Sequence, residues 1–329
     1  MGKSNILEAV YVMSALKSFR EHIPAYFVRW KAHDAQLDIK MRTPYGVRHL
    51  SWNYASKRRL LYIDKVKCIE LASWFALIRS VVFCPDQTSI VRESSSERRN
   101  FLDRARFTAS PAYLGLVRNY IKVLEQKKAL LRMDKVPTEQ LDIWNEQLVQ
   151  YGVRIALQRQ MILSELSSPF QKMHEYLSGS EEVSLKLTGI CAQKPEEIRE
   201  YFQEELKQKT DSEIRLRRCL VGPHSDDMKI LLNGVSAKTF ASQGQVRSIV
   251  LALKLAELEA ARLRGDNPIF LLDDLSSELD KERTNKLLEL LSERENQIWI
   301  TTTEPSYLSG VPFSKRSRFL VENGTVKNM

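Results

Sequence analysis

Three short groups of residues carry the types and spacing that phosphate chemistry needs. Gly2-Lys3-Ser4 opens directly into a helical pattern. It matches the last part of the phosphate-loop pattern GxxxxGK[ST], whose lysine meets the β- and γ-phosphates and whose serine hydroxyl meets Mg²⁺. A helix start also favours anions. A lone GKS tripeptide arises easily by chance, so its meaning depends on what else the chain holds. Pro268-Ile269-Phe270-Leu271-Leu272-Asp273-Asp274 is an apolar run ending in two acids. Acids at the C-terminal end of such a strand sit where α/β folds place ligands. There Asp273 is suited to hold Mg²⁺, and Asp274 to orient or deprotonate a water. The plainer reading is that the two acids end a strand and cap the next turn. Third, Ser242-Gln243-Gly244-Gln245 precedes a long helical pattern. Ser242 and the nearby amides would form a helix-start anion site, and Gly244 would let a phosphate approach the backbone closely.

The elements that must position these groups are legible from periodicity. Residues 3–16 read as a helix with Ile6, Leu7, Ala9, Val10 and Met13 on or near one face. From about 36 to 68 the pattern turns to strands, with a turn signal at Thr43-Pro44-Tyr45-Gly46, so a small antiparallel sheet is expected. Residues 79–84 read as a short buried strand ended by Pro85-Asp86. Apolar residues at three-four spacing mark helices over 113–133 and 138–178, broken by Met133-Asp134-Lys135-Val136-Pro137, which makes an antiparallel helical hairpin. A 40-residue helix would reach about 60 Å unless Gly152 or Pro169 bends it. Met228–Leu232 leads into Asn233-Gly234, a hairpin signal. Helix 244–264, strand 268–273, helix 280–293 and strand 297–302 follow, and this alternation implies a parallel sheet.

Composition narrows the class. The chain has 329 residues, 43% hydrophobic and 28% charged, with a formal net charge of +9. That supports a folded core and favours a polyanionic partner over none. Cys68, Cys84, Cys191 and Cys219 form no CxxC pair, so neither a zinc site nor a disulfide framework is expected, and a reducing cytoplasm is. No apolar run reaches a membrane span. The N-terminus does not read as a signal peptide, and Ile6 stands where a myristoylation motif wants Ser or Thr.

Taken in order, the groups are GKS, a long insertion, SQGQ, an apolar strand with two acids, Ser277-Glu278-Leu279-Asp280, and a strand ending Thr301-Thr302-Thr303. This order resembles that of ABC-type ATPases of the DNA-repair and SMC-like branch. SQGQ takes the signature position, Asp273-Asp274 the Walker B position and Asp280 the D-loop. Thr302 falls where many relatives carry a switch histidine, and Gln87 is the Q-loop candidate, with Asp86 equally placed. The wording of the segments is similar to the RecF family: Lys3–Tyr11 with Lys17–Arg20, Val82–Asp86, Glu97–Asp103, Gly222–Asp227, Lys238–Gln245, and Ala252–Glu257. Val91–Ser96 departs from the family wording, where a basic residue, Gly, Ser and Pro are usual.

The resemblance implies an α/β, SMC-head-like P-loop ATPase domain with an inserted helical-hairpin arm. Its N-terminal lobe would span 1–110, the arm 111–180 and the C-terminal lobe 181–329. It implies ATP and Mg²⁺ as cofactors, with Gly2, Lys3, Ser4, Gln87, Ser242, Gln243, Gly244, Gln245 and Asp280 toward the nucleotide. Ser4 and Asp273 would hold the metal, and Asp274 and Thr302 would serve catalysis. It also implies an ATP-dependent homodimer that binds gapped duplex or single-/double-strand junctions and works with RecO and RecR to place RecA. The family's first strand and the front of its phosphate loop would stand before Gly2. A chain that truly starts at Met1 would instead suit a nucleotide-independent DNA-binding or scaffold protein.

Basic residues concentrate between 42 and 106, where 13 Lys/Arg face 6 Asp/Glu. Lys57-Arg58-Arg59 and the group Arg92, Arg98, Arg99, Arg104 and Arg106 are the candidates for DNA phosphates. For any single arginine, a solvated face with local ion pairs is the plainer reading. His224 in Gly-Pro-His-Ser-Asp-Asp reads as a loop hydrogen-bonder rather than a catalyst.

Overall fold

The computed structural model describes residues 2–20, 23–43, 46–189, 192, 194–308, 316–322 and 324–328. Two compact units result: residues 1–88, 176–179 and 247–329 form the first, and residues 89–175 and 180–246 the second.

The first unit opens on α1 (Lys3–Ala15), which starts straight after Gly2 at φ 111°. Leu7, Val10, Tyr11 and Ser14 are buried at the three-four spacing of one helix face. Leu7, Val10 and Tyr11 pack with Val82, Cys84 and Leu271 in one apolar cluster. Next comes an antiparallel meander, β1 (Asp34–Thr43), β2 (Gly46–Ala55), β3 (Arg58–Ile63) and β4 (Val66–Lys67), paired in sequence order. Leu37 opposite Trp52 and Ile39 opposite Leu50 set its register, with Leu50 and Trp52 fully buried. A one-residue slip would turn both to solvent. Pro44 and Tyr45, the centre of the expected turn, lie outside the described residues, as does Cys191. The short α2 (Leu71–Leu77) buries Trp74, whose indole N–H donates to the Met13 carbonyl at 2.7 Å. In β5 (Ser80–Phe83) all four residues are buried, as in a strand covered on both faces.

The second unit begins with α3 (Ser89–Arg92) and α4 (Ser95–Ala109). The two long helices are α5 (Tyr113–Leu131) and α6 (Thr138–Ser178), the latter 41 residues without a break despite Pro169. After β6 (Val183–Thr188) a third long helix, α7 (Pro195–Leu216), joins them. Its Ile198, Phe202 and Leu206 share a core with Leu148, Val149 and Val153 of α6 and Tyr120, Val123 and Leu124 of α5. Helix α6 runs unbroken through Gly152. A Cβ there would come 2.2 Å from the Phe202 ring, so glycine is what lets α7 approach. Under these helices Lys127 and Glu213 form an ion pair at 2.6 Å, both sealed from solvent. Then β7 (Asp227–Leu232), β8 (Val235–Ser236) and α8 (Ala237–Phe240) follow, with Asn233 and Gly234 both at positive φ in the tight turn.

Helix α9 (Gln243–Leu263) returns the chain to the first unit, where its residues 249–253, 255, 256 and 258 are wholly buried. The stretch also buries Lys254 and Glu257, which pair with each other at 2.8 Å. There β9 (Ile269–Leu272), α10 (Leu275–Glu278), α11 (Lys281–Ser292) and β10 (Ile298–Ile300) complete a parallel sheet in the order β10-β9-β5. The pairs Ile300–Leu272 and Phe83–Leu272 bring all three strand ends level. A hairpin of β11 (Phe319–Glu322) and β12 (Thr325–Asn328) closes the described chain.

Candidate functional site

The level ends of β5, β9 and β10 create one edge where acids, a lysine and an amide meet. Asp273 is 5% exposed. Its N–H donates to the Phe83 carbonyl at 2.9 Å, continuing the strand ladder by one rung. Its carboxylate accepts from the Thr301 hydroxyl at 2.7 Å. Asp274 turns into the left-handed region at φ 51°, ψ 53°, a conformation Asp tolerates better than most residues. Its N–H donates to the same Thr301 hydroxyl at 2.9 Å, while its Oδ1 is buried with no protein partner. The Lys3 ammonium reaches this edge too, donating to the Thr302 carbonyl at 2.6 Å. Ser4 is half-buried in the first turn of α1. Gln87 leaves the end of β5 and anchors its N–H on the Cys84 carbonyl at 3.1 Å, and its side-chain Oε1 is likewise buried without a partner. A buried acceptor left unpaired costs about 1–3 kcal/mol, so the Asp274 oxygen marks a place that a cation or a water would fill. Among the described residues no cluster of three metal-binding side chains exists. Mg²⁺ commonly takes only one or two carboxylates beside phosphate oxygens, so the acid pair suffices.

Thr302 and Asp280 have the following surroundings. The threonine touching the acids is Thr301, while the Thr302 hydroxyl bonds only within its own turn, to the backbone of Glu304 at 3.1 Å. Asp280 caps α11: its carboxylate accepts from the Arg283 N–H and pairs with the Arg283 guanidinium, both at 2.8 Å.

In the second unit Ser242, Gln243 and Gly244 are exposed just ahead of and within the first turn of α9. Ser242 and Gln245 form a capping box. The Gln245 N–H donates to the Ser242 hydroxyl at 3.2 Å, and the Ser242 N–H donates to the Gln245 side-chain oxygen at 2.7 Å. Glu181, just before β6, then accepts from the Gln245 side-chain nitrogen at 2.6 Å. The S-x-x-Q spacing carried this signal; the part of Glu181, 64 residues away, did not.

The basic candidates separate into two kinds. Lys57, Arg58 and Arg59 are exposed in the first unit, around the β2–β3 turn where Ser56 and Lys57 take positive φ. Arg59 also donates to the Leu16 carbonyl. In the second unit the arginines bond within the unit, with Arg98 buried, Arg99, Arg104 and Arg106 half-buried and Arg92 exposed. Arg98, 7% exposed, grips Asp227 with two bonds at 2.7 and 2.9 Å and the Glu93 carbonyl at 3.0 Å. Burial raises the Asp227 carboxyl, but Arg98 outweighs it and holds the group below its ordinary value. Arg99 donates to Ser95 and to the Asp226 carbonyl, Arg92 to the Lys238 and Ala241 carbonyls, and Arg106 to Gln158. Arg104 is half-buried and partnered.

The segment Gly222–Asp227 belongs to the same polar core. Arg159 of α6 binds Asp103 through both carboxylate oxygens at 2.7 and 2.9 Å and the Pro223 carbonyl at 2.6 Å. The Tyr120 hydroxyl meets His224 Nδ1 at 2.5 Å, and burial pushes that imidazole down to about 4. Gly222, at φ 136°, leaves room for the Tyr120 hydroxyl that a Cβ would strike at 2.5 Å. His224 is a loop hydrogen-bonder, as its setting after Pro suggests.

No family model matches the chain. The DNA replication and repair protein RecF of Geotalea daltonii is 33% identical over 330 residues, spanning 99% of this chain and 90% of its own length. A solved structure of the recombination mediator protein RecF with ATP, in the RecFOR pathway, superposes with a TM-score of 0.89 at 27% identity, covering 100% of this chain and 88% of that one. The Smc head domain of Pyrococcus furiosus, with an extended coiled coil, matches at a TM-score of 0.55 and 14% identity over 100% and 87%. That likeness is one of fold, and it agrees with the ABC-type, SMC-head-like α/β architecture expected from the motif order.

Proposed function

The chain belongs to the RecF family of DNA replication and repair proteins, and on that premise we propose an ATP-operated DNA-binding protein of gap repair. In this reading ATP closes a homodimer on gapped or junction DNA, slow hydrolysis opens it, and RecO and RecR use the assembly to place RecA. The observation that carries the reading is the strand edge where Lys3 bonds Thr302 while the adjacent Thr301 bonds Asp273 and Asp274, bringing opposite ends of the sequence together.

Each residue has a defined task there. Lys3 exchanges the Thr302 carbonyl for phosphate oxygens, and the α1 N-terminus adds its amides and dipole. Ser4 and Asp273 would hold Mg²⁺, which would supply neutralisation of the phosphate charge. Asp274, with an oxygen buried and unpaired, positions the attacking water and accepts its proton. Gln87, whose side-chain oxygen is buried and unpaired, is the candidate for orienting that water. The exposed Ser242, Gln243 and Gly244 face the nucleotide of a partner protomer, with the Ser242–Gln245 box fixing their amides. Lys57 and Arg58 are the basic candidates with no fastening role in the structure, and they hold the DNA backbone without reading bases. No described helix is long and apolar enough to cross a membrane, and the reading puts the protein in the cytoplasm, with its DNA.

Fluorescence anisotropy on a gapped duplex tests this reading. Affinity is expected to rise in Mg²⁺-ATP and to fall back in Mg²⁺-ADP. Equal affinity in ATP, ADP and no nucleotide would favour a nucleotide-independent DNA-binding protein instead.

A further inference from the structure

We propose that Thr301 is a positioning residue that sets both acids of the strand edge at once. The inference rests on the nucleotide reading of that edge and adds a residue to it. Four bonds tie Thr301 to the four consecutive residues Leu272 to Leu275. Its N–H donates to the Leu272 carbonyl at 2.9 Å, and its carbonyl accepts from the Leu275 N–H at 3.1 Å. Its hydroxyl accepts from the Asp274 N–H at 2.9 Å and donates to the Asp273 carboxylate at 2.7 Å.

The direction of the hydroxyl bonds is forced. A backbone N–H can only donate and an ionised carboxylate can only accept, so the single hydroxyl hydrogen must point at Asp273. That engages Oδ1 of Asp273 and leaves Oδ2 as the oxygen that would hold a metal. On the other side, the bond to the Asp274 N–H, with the Leu275 N–H on the Thr301 carbonyl, brackets the one residue of the edge in a left-handed conformation. The left-handed turn is what carries the Asp274 carboxylate out of line with the strand and leaves its Oδ1 unpaired. Thr301 also stands next to Thr302, whose carbonyl holds Lys3. The β-branched side chain has a restricted χ1, so the hydroxyl is delivered in one direction. A second tie, between the Ser276 and Thr303 hydroxyls at 3.1 Å, holds the following turn to the same segment.

Valine is the discriminating substitution, because it keeps the branched shape and removes both hydroxyl bonds. The experiment is calorimetric titration of ATP into the full chain in EDTA and in Mg²⁺, with single-turnover hydrolysis beside it. Thr301→Val is expected to bind ATP like the parent in EDTA, where Lys3 and the helix start act alone. In Mg²⁺ it should lose the metal-dependent gain in affinity by about tenfold, with a similar loss of rate, as is usual when a ligand's hydrogen-bonded support is removed. Thr301→Ser, which restores the hydroxyl, should return both readouts to within about threefold of the parent. If the valine chain does not fold, Thr301→Cys carries the test: a weak thiol donor of similar size should cost about threefold or more in the Mg²⁺ gain. A parental Mg²⁺ gain and rate in a folded valine or cysteine chain overturns the inference alone. Absence of ATP binding by the parent overturns the nucleotide reading, and this inference with it.

Discussion

Replacing Asp274 by Asn separates the backbone role of that residue from its chemical one. Its φ of 51° and ψ of 53° would cost most residues about 1–2 kcal/mol, but Asn shares with Asp a tolerance of this region. The Asp274 N–H bond to Thr301 is made by the backbone, and Oδ1 has no protein partner to lose. Asp274→Asn should therefore fold like the parent and bind Mg²⁺-ATP with little change. What it lacks is a base. General-base assistance is worth about 10²–10⁴ in rate, or about 2.7–5.4 kcal/mol of barrier at 1.36 kcal/mol per tenfold. Single-turnover hydrolysis of saturating ATP, with affinity measured by calorimetry, should show a rate lower by at least about 10² at nearly constant affinity. Asp274→Ala serves as the contrasting case, since it should add about 1–2 kcal/mol of left-handed strain that denaturant unfolding detects. A parental hydrolysis rate in Asp274→Asn would rule out Asp274 as the base and move the water-positioning role elsewhere.

Other expectations follow from the burial of charge. Reversing Lys57 and Arg58 to Glu should weaken DNA binding regardless of sequence and reduce the slope of log K against log salt by about 2, one for each lost phosphate contact; an unaltered slope returns both to a solvated surface. Arg98→Glu should act on stability before DNA, because it sets a second acid against Asp227 inside the second unit, a loss of about 3–5 kcal/mol by denaturant unfolding. Lys127→Met should cost about the same by leaving Glu213 buried and unpaired; a loss under about 1 kcal/mol would mean that the site rehydrates. His224 titrates at about 4 in the fold against about 6.5 unfolded. Its stabilising effect is thus complete above about pH 6.5 and lost as pH falls toward 4, where protonation denies Nδ1 to the Tyr120 hydroxyl. His224→Asn should remove a pH-dependent loss of about 2–3 kcal/mol over that window, read from urea unfolding.

Much of the positioning frame could be read from the chain. The three-four apolar spacing marked α5 and α6 almost to the residue, and four buried residues bounded by Pro85 marked β5. Helix α7 escaped notice because its buried stripe is narrow, just Ile198, Phe202 and Leu206 above Glu213 in a highly charged run. The start signal, Pro195 with two glutamates behind it, was nonetheless present. The alternation Val183-Ser184-Leu185-Lys186-Leu187-Thr188 likewise announced β6. Other features are invisible to local pattern. Arg98 finds Asp227 across 129 positions, so a sequence offers only its charge, which resembles that of an exposed phosphate binder. Among three consecutive threonines, which one faces the acids depends on register: Ile300 pairs with Leu272, so Thr301 falls beside Asp273. The capping box at Ser242 was written in S-x-x-Q, but an anion site and a cap look alike until the partner of each N–H is seen.

In the proposed function ATP joins two protomers through Ser242 and its neighbours. Ser242 is exposed at the start of α9, so Ser242→Arg puts a bulky cation there at the cost of one helix cap, about 1 kcal/mol. Multi-angle light scattering of the parent and of Ser242→Arg, each in Mg²⁺-ATP and in Mg²⁺-ADP, reads the claim directly. The parent in ATP alone should show a mass near that of a dimer, and the other three samples monomers, with ATP still bound by the variant. A Ser242→Arg chain that dimerises in ATP as the parent does, or a parent whose mass ignores the nucleotide, would contradict it.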